Sequence, residues 1–579
     1  MSTTDMGREA DHGGGSHGGP DGDSDVTAHP VFALSSRFVD DLAALEPMTA
    51  TFLGLPGHDH EWGDLSPAGA DARAALLRRT RDELDALPPA DSHWSALAAR
   101  VLREDLEDGL ASHEHGDHLR DLAHLASTVP SMRELCELMP IDTAEQAGAL
   151  LTRLTTIGDA LDGWWACMAE GVRTGRTVAA RQVESVAAQL RAGISPTGAF
   201  TARIAKVVEQ HRDLAERAAA ASAAVAAASE RTAQRLEQEY LPHAATEEGV
   251  GEERYLRNAR RFLGTDIDPQ ETYAWGWELI RELTDRAVDV AAEIDADAGL
   301  DGVVERLQTD PAYAAPSQEA FREAMQERQS SALASLSGVH FDVPDEIRDV
   351  RVNLVAPGAP LAAWYMAPSE DFSRVGSIWW SLGDRTSIPL FDEVTTAYHE
   401  GFPGHHLQVG VQVALSDRLS RSHRLLAWRP GYGEGWALYA EQFMDELGEL
   451  ERPEYVLGYL GANLLRAVRV VVDLGLHLGY PIPDDAPLHA GEAWTYERAV
   501  DALVRLAFID PAMARSEVTR YLGWPAQAIS YAVGKREILA LREERLAREG
   551  AAFDLRRFHA DVIGSGSVGL DHLRELVLG

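Results

Sequence analysis

The stretch that decides how this chain is interpreted reads Tyr398-His399-Glu400-Gly401-Phe402-Pro403-Gly404-His405-His406. It begins like the helical motif His-Glu-x-x-His, in which two histidines four residues apart bind one zinc ion. Four residues after His399, however, the chain has Pro403, and histidines return only at positions 405 and 406. A metal site here therefore depends on how the backbone runs from His399 to these later histidines.

A regular helix cannot bring either later histidine to the same ion as His399. Four residues of α-helix turn through about 400° and rise about 6 Å, which places both imidazoles of the usual motif on one side. His405 is six residues on, about 600° of rotation and about 9 Å of rise, so it points about 120° away. His406 is seven residues on and nearly in line with His399, but lies about 10.5 Å along the axis.

Pro403 excludes the regular helix, because proline lacks an N–H and its ring collides with the carbonyl four residues back. Gly401 and Gly404 flank it and allow backbone conformations that other residues avoid. A bulge that absorbs two residues would bring His405 to the position of the usual second histidine. A bulge of three residues would do the same for His406. We favour His405 as the ligand and keep His406 as the alternative.

A second motif supplies carboxylates and reads Gly431-Tyr432-Gly433-Glu434-Gly435-Trp436-Ala437-Leu438-Tyr439-Ala440-Glu441. It is typical of a turn followed by a helix, with Glu434 near the start and Glu441 two turns later on the same face. In one interpretation Glu434 binds the metal and Glu441 orients a histidine. In the other, this is a charged surface helix with an aromatic underside.

The composition sets bounds on partners and location. The chain has 579 residues, 45% of them apolar and 25% charged, and a net charge of −39. This charge argues against nucleic acid and anionic membranes as partners, because both would be repelled. Residues 1–28 have the composition of a disordered tail. We expect neither a secretory signal nor a membrane span, and therefore a cytoplasmic location.

The remaining pattern predicts a mainly α protein with two lobes around a central cleft. Residues 29–340 form a helical N-terminal lobe, and residues 341–579 form a metal-binding lobe that is integrated with it. Residues 351–355 and 376–382 read as strands of a small sheet directly before the histidine motif.

Helices are predicted from apolar side chains at three- and four-residue spacing. They cover 68–86, 94–112, 142–171, 175–193, 268–294, 393–417, 432–447, 453–478, 486–508, 512–521 and 524–546. The Ala-rich segment 196–241 is predicted to form one long helix, because alanine has the highest helix propensity.

With a third block, Pro525-Ala526-Gln527-Ala528-Ile529-Ser530-Tyr531-Ala532-Val533-Gly534-Lys535, the sequence resembles a bacterial family called domain of unknown function 885. This family is grouped with gluzincin-like metallopeptidases, and the similarity covers residues 30–579. The resemblance implies an α-helical fold with a cleft and one zinc ion held by His399, His405 and Glu434. Two departures stand out: the histidines are six residues apart instead of four, and Ser381 stands where relatives often have asparagine.

The resemblance also implies roles in catalysis. Glu400 adjoins the first ligand and would act as general base on a metal-activated water. Tyr531 is the candidate donor that stabilises the developing oxyanion, with Tyr432 and His423 as weaker options. The alternative for Tyr531 is a core tyrosine.

Substrate contacts are assigned to residues near these motifs. Strand 376–382 would pair with extended peptide as an edge strand, with Trp379, Trp380 and Ser381 beside the substrate. The alternative for both tryptophans is the core. Arg520, or else Lys535 or Arg536, would anchor a carboxylate, unless these residues only form ion pairs.

Together these features predict a zinc-dependent hydrolase that cleaves amide bonds in short peptides or peptide-like small molecules. Two alternatives belong to other classes. One is an inactive relative that binds peptides without cleaving them, and the other is a helical interaction protein, for which the Ala-rich segment is the only support.

Overall fold

The computed structural model describes residues 26–355 and 362–579. The predicted disordered tail, residues 1–28, lies outside the described residues except for Val26–Ala28, which form a 3-10 helix. The prediction of a mainly α protein is confirmed, because helices account for most of the described chain and the sheets are small.

The helices before the sheet region are α1 Pro30–Leu45, α2 Pro47–Leu53, α3 Pro67–Asp85, α4 His93–Glu114, α5 Thr128–Leu138, α6 Ala144–Thr155, α7 Ile157–Thr174, α8 Ala180–Gly193, α9 Ala199–Gln210, α10 Ala215–Arg235, α11 Glu252–Leu263, α12 Pro269–Ile294, α13 Gly299–Thr309 and α14 Gln318–Leu336. Those after it are α15 Glu393–Glu400, α16 His405–Ala414, α17 Arg421–Leu425, α18 Pro430–Glu446, α19 Pro453–Leu478, α20 Tyr496–Ala507, α21 Pro511–Gly523, α22 Ser530–Glu549, α23 Leu555–Gly564 and α24 Leu570–Leu578.

The strands are β1 Ala314–Ala315, β2 Arg351–Leu354, β3 Ala362–Met366, β4 Ser377–Ser381 and β5 Ile388–Pro389. In the three-stranded sheet the order is β2-β4-β3, with β2 parallel and β3 antiparallel to β4. Strand β4 is therefore central, and the prediction that it is an edge strand open to substrate is wrong. Its backbone groups are already used by two neighbours, which the sequence of β4 alone could not show.

The prediction of one helix over 196–241 is also wrong. Helix α9 ends at Gln210, and α10 begins at Ala215 after a short 3-10 turn. His211 has a non-helical conformation there, and its Nε2 lies 2.8 Å from the carbonyl oxygen of Ile141. The helix propensity of alanine is only a weak preference, and it does not predict this break. The contact between His211 and Ile141 occurs where the helix is interrupted.

Helix α8 begins at Ala180 instead of residue 175, and two further helices also begin later than predicted. Helix α20 starts at Tyr496, where the Thr495 hydroxyl caps the helix by accepting from the N–H of Arg498. Helix α22 starts at Ser530, because the chain turns at Ala526 with a φ of 69°. The buried Asp473 carboxylate accepts a hydrogen bond of 3.0 Å from the N–H of Ala526 and so holds this turn.

The main hydrophobic core is built almost entirely from residues between 255 and 577, and a second core joins residues between 62 and 240. The predicted boundary at residue 340 lies within the main core, and the two-lobed division stays a prediction. By its length and apolar composition alone, helix α19 could span a membrane. Within its most apolar 18-residue stretch, 78% is buried inside the structure, so its place in the core explains its composition.

Candidate metal centre

The histidine motif folds as two helices joined by a tight turn. Helix α15 ends at Glu400, residues 401–404 form the turn, and α16 begins at His405. The peptide bond between Phe402 and Pro403 is cis. The predicted bulge inside one helix is therefore wrong in form, because the helix stops completely instead of continuing past an insertion. The predicted position of the break at Gly401 to Gly404 is correct.

Gln329 of helix α14 holds this turn from the far side. Its side-chain amide donates to the carbonyl of Ala397 at 2.8 Å and accepts from the N–H of Phe402 at 2.7 Å. A side chain on Gly401 would collide with Gln329, and one on Gly404 would collide with the carbonyl of His399. The glycines are thus needed for close packing, and Gln329 is a positioning residue that no sequence pattern indicates.

His399, His405 and Glu434 converge on one point. Oε2 of Glu434 lies 3.3 Å from Nε2 of His399 and 3.4 Å from Nε2 of His405. One candidate ligand atom from each residue lies within 4.8 Å of the others. All three side chains are at least 87% buried. The turn after Glu400 is what brings His405 beside His399, since a continuous helix would separate them.

Glu441 lies behind His399 on the same face of α18 as Glu434. Nδ1 of His399 donates to Oε1 of Glu441 at 2.7 Å, while the hydroxyl of Thr395 donates to Oε2 of Glu441. The His399 ring therefore lies between two carboxylates that are two helical turns apart. This contact fixes the ring orientation and directs Nε2 toward Glu434 and His405.

His406 lies outside this cluster. Its Nε2 donates to the carbonyl of Ile347 at 2.7 Å, and its Nδ1 accepts from the Tyr365 hydroxyl at 3.1 Å. Burial lowers the pKa of His406 to about 4, which keeps the ring neutral at neutral pH. Both ring nitrogens are thus occupied by structural contacts with the segment before the sheet and with β3.

The cluster is a charged network in the absence of a metal. Burial acts to lower the pKa of His399, but the contacts with the Glu434 and Glu441 carboxylates outweigh it and raise this pKa to about 9. Burial acts to raise the pKa of Glu434, yet the two histidines hold it well below its usual range. A metal ligand must be a neutral imidazole, so metal binding here requires loss of the His399 proton.

Glu400 occupies the position next to the cluster and is half-buried. None of the described residues forms a hydrogen bond or ion pair with its carboxylate. Burial raises the pKa of Glu400, the nearby His399 and His405 act against this, and Glu434 adds to it. Glu400 is therefore an unengaged carboxylate with a raised pKa, which are properties that a general base needs.

Tyr531 lies in the first turn of α22, where its ring stacks on that of His399 with 6.5 Å between centroids. Within the described chain its hydroxyl has no hydrogen-bond partner. It reaches this place because α18 and α22 cross closely, and a side chain on Gly534 would collide with the backbone of Gly431 and Gly435. The alternative donors are engaged elsewhere, since Tyr432 donates to the carbonyl of Val562.

His423, the other weaker option, is completely buried and its Nε2 lies 3.1 Å from the carbonyl of Ser567.

Trp380 is 1% exposed and its indole N–H donates to Glu393, so the structure places it in the core and not beside substrate. Trp379 is half-buried and stacks on Trp364 across the sheet. Ser381 is buried. The tryptophan pair alternates across the sheet, which is why only one of the two reaches the surface.

Arg520 is not free to anchor a substrate. Its guanidinium donates to both oxygens of Glu517 and to Oε1 of Gln527. Lys535 donates to Asn463 at 2.9 Å within the interior. Arg536 lies over the ring of Trp275, 4.5 Å from its centroid.

Sequence reasoning missed three residues beside the cluster. Arg466 and Arg469 of α19 lie over the Tyr531 ring, with guanidinium carbons 5.9 and 4.8 Å from its centroid. Trp428 is 43% exposed, and its ring centroid lies 5.8 Å from that of His405. Each is far in sequence from at least one of its partners, and no motif spacing indicates these contacts.

A groove of about 1070 Å³ opens on another part of the surface. Its lining includes Arg545, Arg556 and the C-terminal Gly579, and it includes none of the cluster residues. The arginines there already form ion pairs, such as Arg556 with Asp342 and Arg545 with Glu549. The volume of this groove is therefore not a reason to place the functional site there.

The cluster fits a zinc ion by geometry and chemistry. With zinc–ligand bonds of about 2.0–2.1 Å in a tetrahedral arrangement, neighbouring ligand atoms lie about 3.3–3.4 Å apart. The distances from Glu434 to the two histidines match this value. Oε2 of Glu434 is also buried without a hydrogen-bond partner among the described residues. Two imidazoles and one carboxylate are the donor set of zinc sites that keep a position open for catalysis.

The family described as "Bacterial protein of unknown function (DUF885)" matches residues 47–577. The chain belongs to the DUF885 family. The match includes all three motif blocks, from the histidine motif to the block that contains Tyr531. No curated protein matches this DUF885 chain.

Two solved structures share the fold of this DUF885 protein. The crystal structure titled "putative lipoprotein" from Colwellia psychrerythraea has a TM-score of 0.80 and 22% identity, over 95% of this chain and 98% of that one. A "putative lipoprotein of unknown function" from Shewanella oneidensis has a TM-score of 0.69 and 18% identity, over 95% of this chain and 100% of that one. At these identities the likeness concerns the fold alone.

Proposed function

We propose that this DUF885 protein is a zinc-dependent hydrolase of amide bonds in short peptides or peptide-like small molecules. The observation that carries the proposal is the convergence of His399, His405 and Glu434 on one point, with the unengaged carboxylate of Glu400 adjoining it. A metal-free binding protein would have no need for these groups together. The spacing of six residues between the histidines makes this a variant of the gluzincin-like site that the motif resembles.

Each residue has a distinct task in this proposal. His399, His405 and Glu434 would hold the ion, and Glu441 would keep the His399 ring in place. A bound zinc ion supplies Lewis-acid activation of water and of the scissile carbonyl. Glu400 takes the proton of the attacking water and passes it to the leaving amine. Tyr531 donates a hydrogen bond to the carbonyl oxygen as negative charge develops on it.

The alternatives have less support. The Ala-rich segment was the basis for a helical interaction protein, and it forms two shorter helices that pack in the second core. An inactive peptide-binding relative remains a candidate that the experiment below separates from an enzyme. A cytoplasmic location and the exclusion of nucleic acid and membranes as partners stay predictions. The description as a lipoprotein belongs to the two structural neighbours.

The test combines metal analysis with a digest of mixed short peptides that is followed by mass spectrometry. We expect about one zinc per chain and peptide cleavage, with Glu400→Gln lowering turnover by about 10²-fold or more at unchanged zinc content. Glu319→Gln serves as the control, because this carboxylate forms only an exposed ion pair with Arg322. Zinc binding without any cleavage would favour the inactive relative, and absence of zinc would reject the proposal.

A further inference from the structure

Helix α19 places two arginines beside the candidate metal centre. Arg466 and Arg469 are three residues apart and so lie on one face of the helix. Their guanidinium carbons are 5.9 and 4.8 Å from the ring centroid of Tyr531. That ring stacks on His399 at 6.5 Å, so the arginines lie within one side-chain layer of the cluster. Arg466 is also close enough to act electrostatically on Glu400 and Glu441.

The positive charge of these arginines is only partly compensated. Arg469 and Arg520 both donate to the carboxylate of Glu517, so two guanidinium groups share one negative charge. The other partner of Arg520 is the neutral side chain of Gln527. Arg466 has no carboxylate partner among the described residues, and donates only to the carbonyl of Ala462 in its own helix. Direct ion pairs therefore compensate these arginines only in part, and the Glu400 and Glu441 carboxylates act on Arg466 from beyond contact distance.

Two guanidinium nitrogens here also lack acceptors. Nη1 of Arg469 and Nε of Arg466 are buried without a hydrogen-bond partner in the described parts of the chain. Arg469 is 7% exposed, so water has little access to it. A buried donor without an acceptor costs about 1–3 kcal/mol, and more when it is charged. An anionic ligand would supply the missing acceptors.

We propose that Arg466 and Arg469 bind a free carboxylate of the substrate, so that the protein removes residues from the C-terminal end of short peptides. This proposal rests on the proposed function. Arginine suits the role because its planar fork matches a carboxylate. Residues along a chain are about 3.8 Å apart, so a terminal carboxylate one or two residues beyond the scissile bond lies about 4–8 Å from it. This span is comparable with the 6.5 Å between the rings of Tyr531 and His399.

The reaction is ordinary hydrolysis at a defined end of the substrate. Water adds across the C–N bond that precedes the last one or two residues, its hydroxyl joins the acyl carbon, and its proton ends on the amine that leaves. The same contacts would accept an amide conjugate whose leaving amine is an amino acid. A purely structural role for the arginines, in which they only support Tyr531, predicts no preference for a carboxylate.

The decisive experiment compares peptides of three to six residues, each made as the free acid and as the C-terminal amide. With zinc-loaded protein we expect free acids to lose their C-terminal residues, and amides to react at least about tenfold more slowly, as loss of a charged hydrogen bond predicts. Equal cleavage of acids and amides would overturn the inference while leaving the hydrolase proposal intact. Cleavage of neither form would count against the hydrolase itself.

Variants of the arginines test whether these side chains cause the preference for free acids over amides. Arg466→Gln should slow the reaction of free acids at least about tenfold more than the reaction of amides, through a higher KM for the acids. Arg536→Ala is the matched control, because Arg536 contacts Trp275 and not Tyr531. Arg469→Lys is a second variant, which keeps the charge beside Glu517 but not the fork. If Arg466→Gln lowers both reactions equally, the arginine only positions Tyr531 and the inference is wrong.

A binding measurement separates the subsite from catalysis. In the Glu400→Gln protein, calorimetry would compare N-acetyl-leucine with N-acetyl-leucine amide. We expect the acid to bind at least about tenfold more tightly, and Arg466→Gln in that background to abolish the difference. Equal affinity for the two compounds would reject the carboxylate subsite even if peptides are cleaved.

Discussion

Nδ1 of His399 lies 2.7 Å from Oε1 of Glu441, and both side chains are almost fully buried. The contact leaves Nε2 as the nitrogen that faces Glu434 and His405. It connects the end of α15 to the middle of α18, so the geometry of the cluster depends on how these two helices pack. The same carboxylate accepts the hydroxyl of Thr395, one turn before His399.

We expect Glu441→Gln to weaken zinc binding by about 10–100-fold, because it removes the charge that orients His399 and increases its basicity. Competition with a chelator would measure the affinity. Glu446→Gln on the same helix is the control, since Glu446 pairs with Arg542 near the surface. Equal affinities for the two variants would mean that Glu441 has no part in the site.

His405→Ala and His406→Ala should have opposite effects. Loss of His405 should lower zinc affinity at least about 100-fold with a modest change in stability, because a ligand is removed. Loss of His406 should leave zinc stoichiometry unchanged and lower the free energy of unfolding by roughly 2–4 kcal/mol, since the carbonyl of Ile347 loses its donor. Metal analysis and urea unfolding measure these effects, and zinc loss in His406→Ala alone would reverse the ligand assignment.

Metal affinity should rise with pH. His399 in the metal-free protein has a pKa of about 9, raised from 6.5, so below that pH the metal must displace a proton. The apparent affinity should increase up to tenfold per pH unit between about 6.5 and 9 and level off above. In the metal-free protein, the raised pKa adds stability that is complete below pH 6.5 and is lost as pH rises to about 9.

Calorimetry of zinc binding in buffers with different ionisation heats would report the proton release, and urea unfolding of metal-free protein would report the loss of stability. Glu441→Gln should reduce both slopes, because it removes one of the carboxylates that raise the His399 pKa. A zinc affinity that does not change over this pH range would show that His399 is neutral before the metal binds.

Gly534→Ala should destabilise the protein by roughly 3 kcal/mol, because the added methyl group would collide with the backbone of α18 at Gly431. The two helices would separate and Tyr531 would move away from His399. Gly564→Ala in α23 is the matched control, since a methyl group there meets no atom within 4 Å. Thermal unfolding checks both variants, and similar midpoints would show that α18 and α22 tolerate a wider spacing.

The sequence was sufficient for whatever depends on local pattern. Apolar spacing gave the mainly α fold, and Pro403 between two glycines located the break in the motif helix. The face shared by Glu434 and Glu441 followed from helical periodicity. Their contacts with His399 could be anticipated only as a hypothesis, because the approach of α15 to α18 is a long-range event.

Other features were decided by the tertiary structure. The position of His405, and not His406, beside His399 accompanies contacts of His406 with Ile347 and Tyr365 from distant segments. Strand β4 became central because β2 and β3 pair with it from both sides. Arg466 and Arg469 reach Tyr531 only through the packing of α19 near α22. Periodicity describes one helix at a time, whereas the position of a side chain beside a distant partner depends on how whole helices pack.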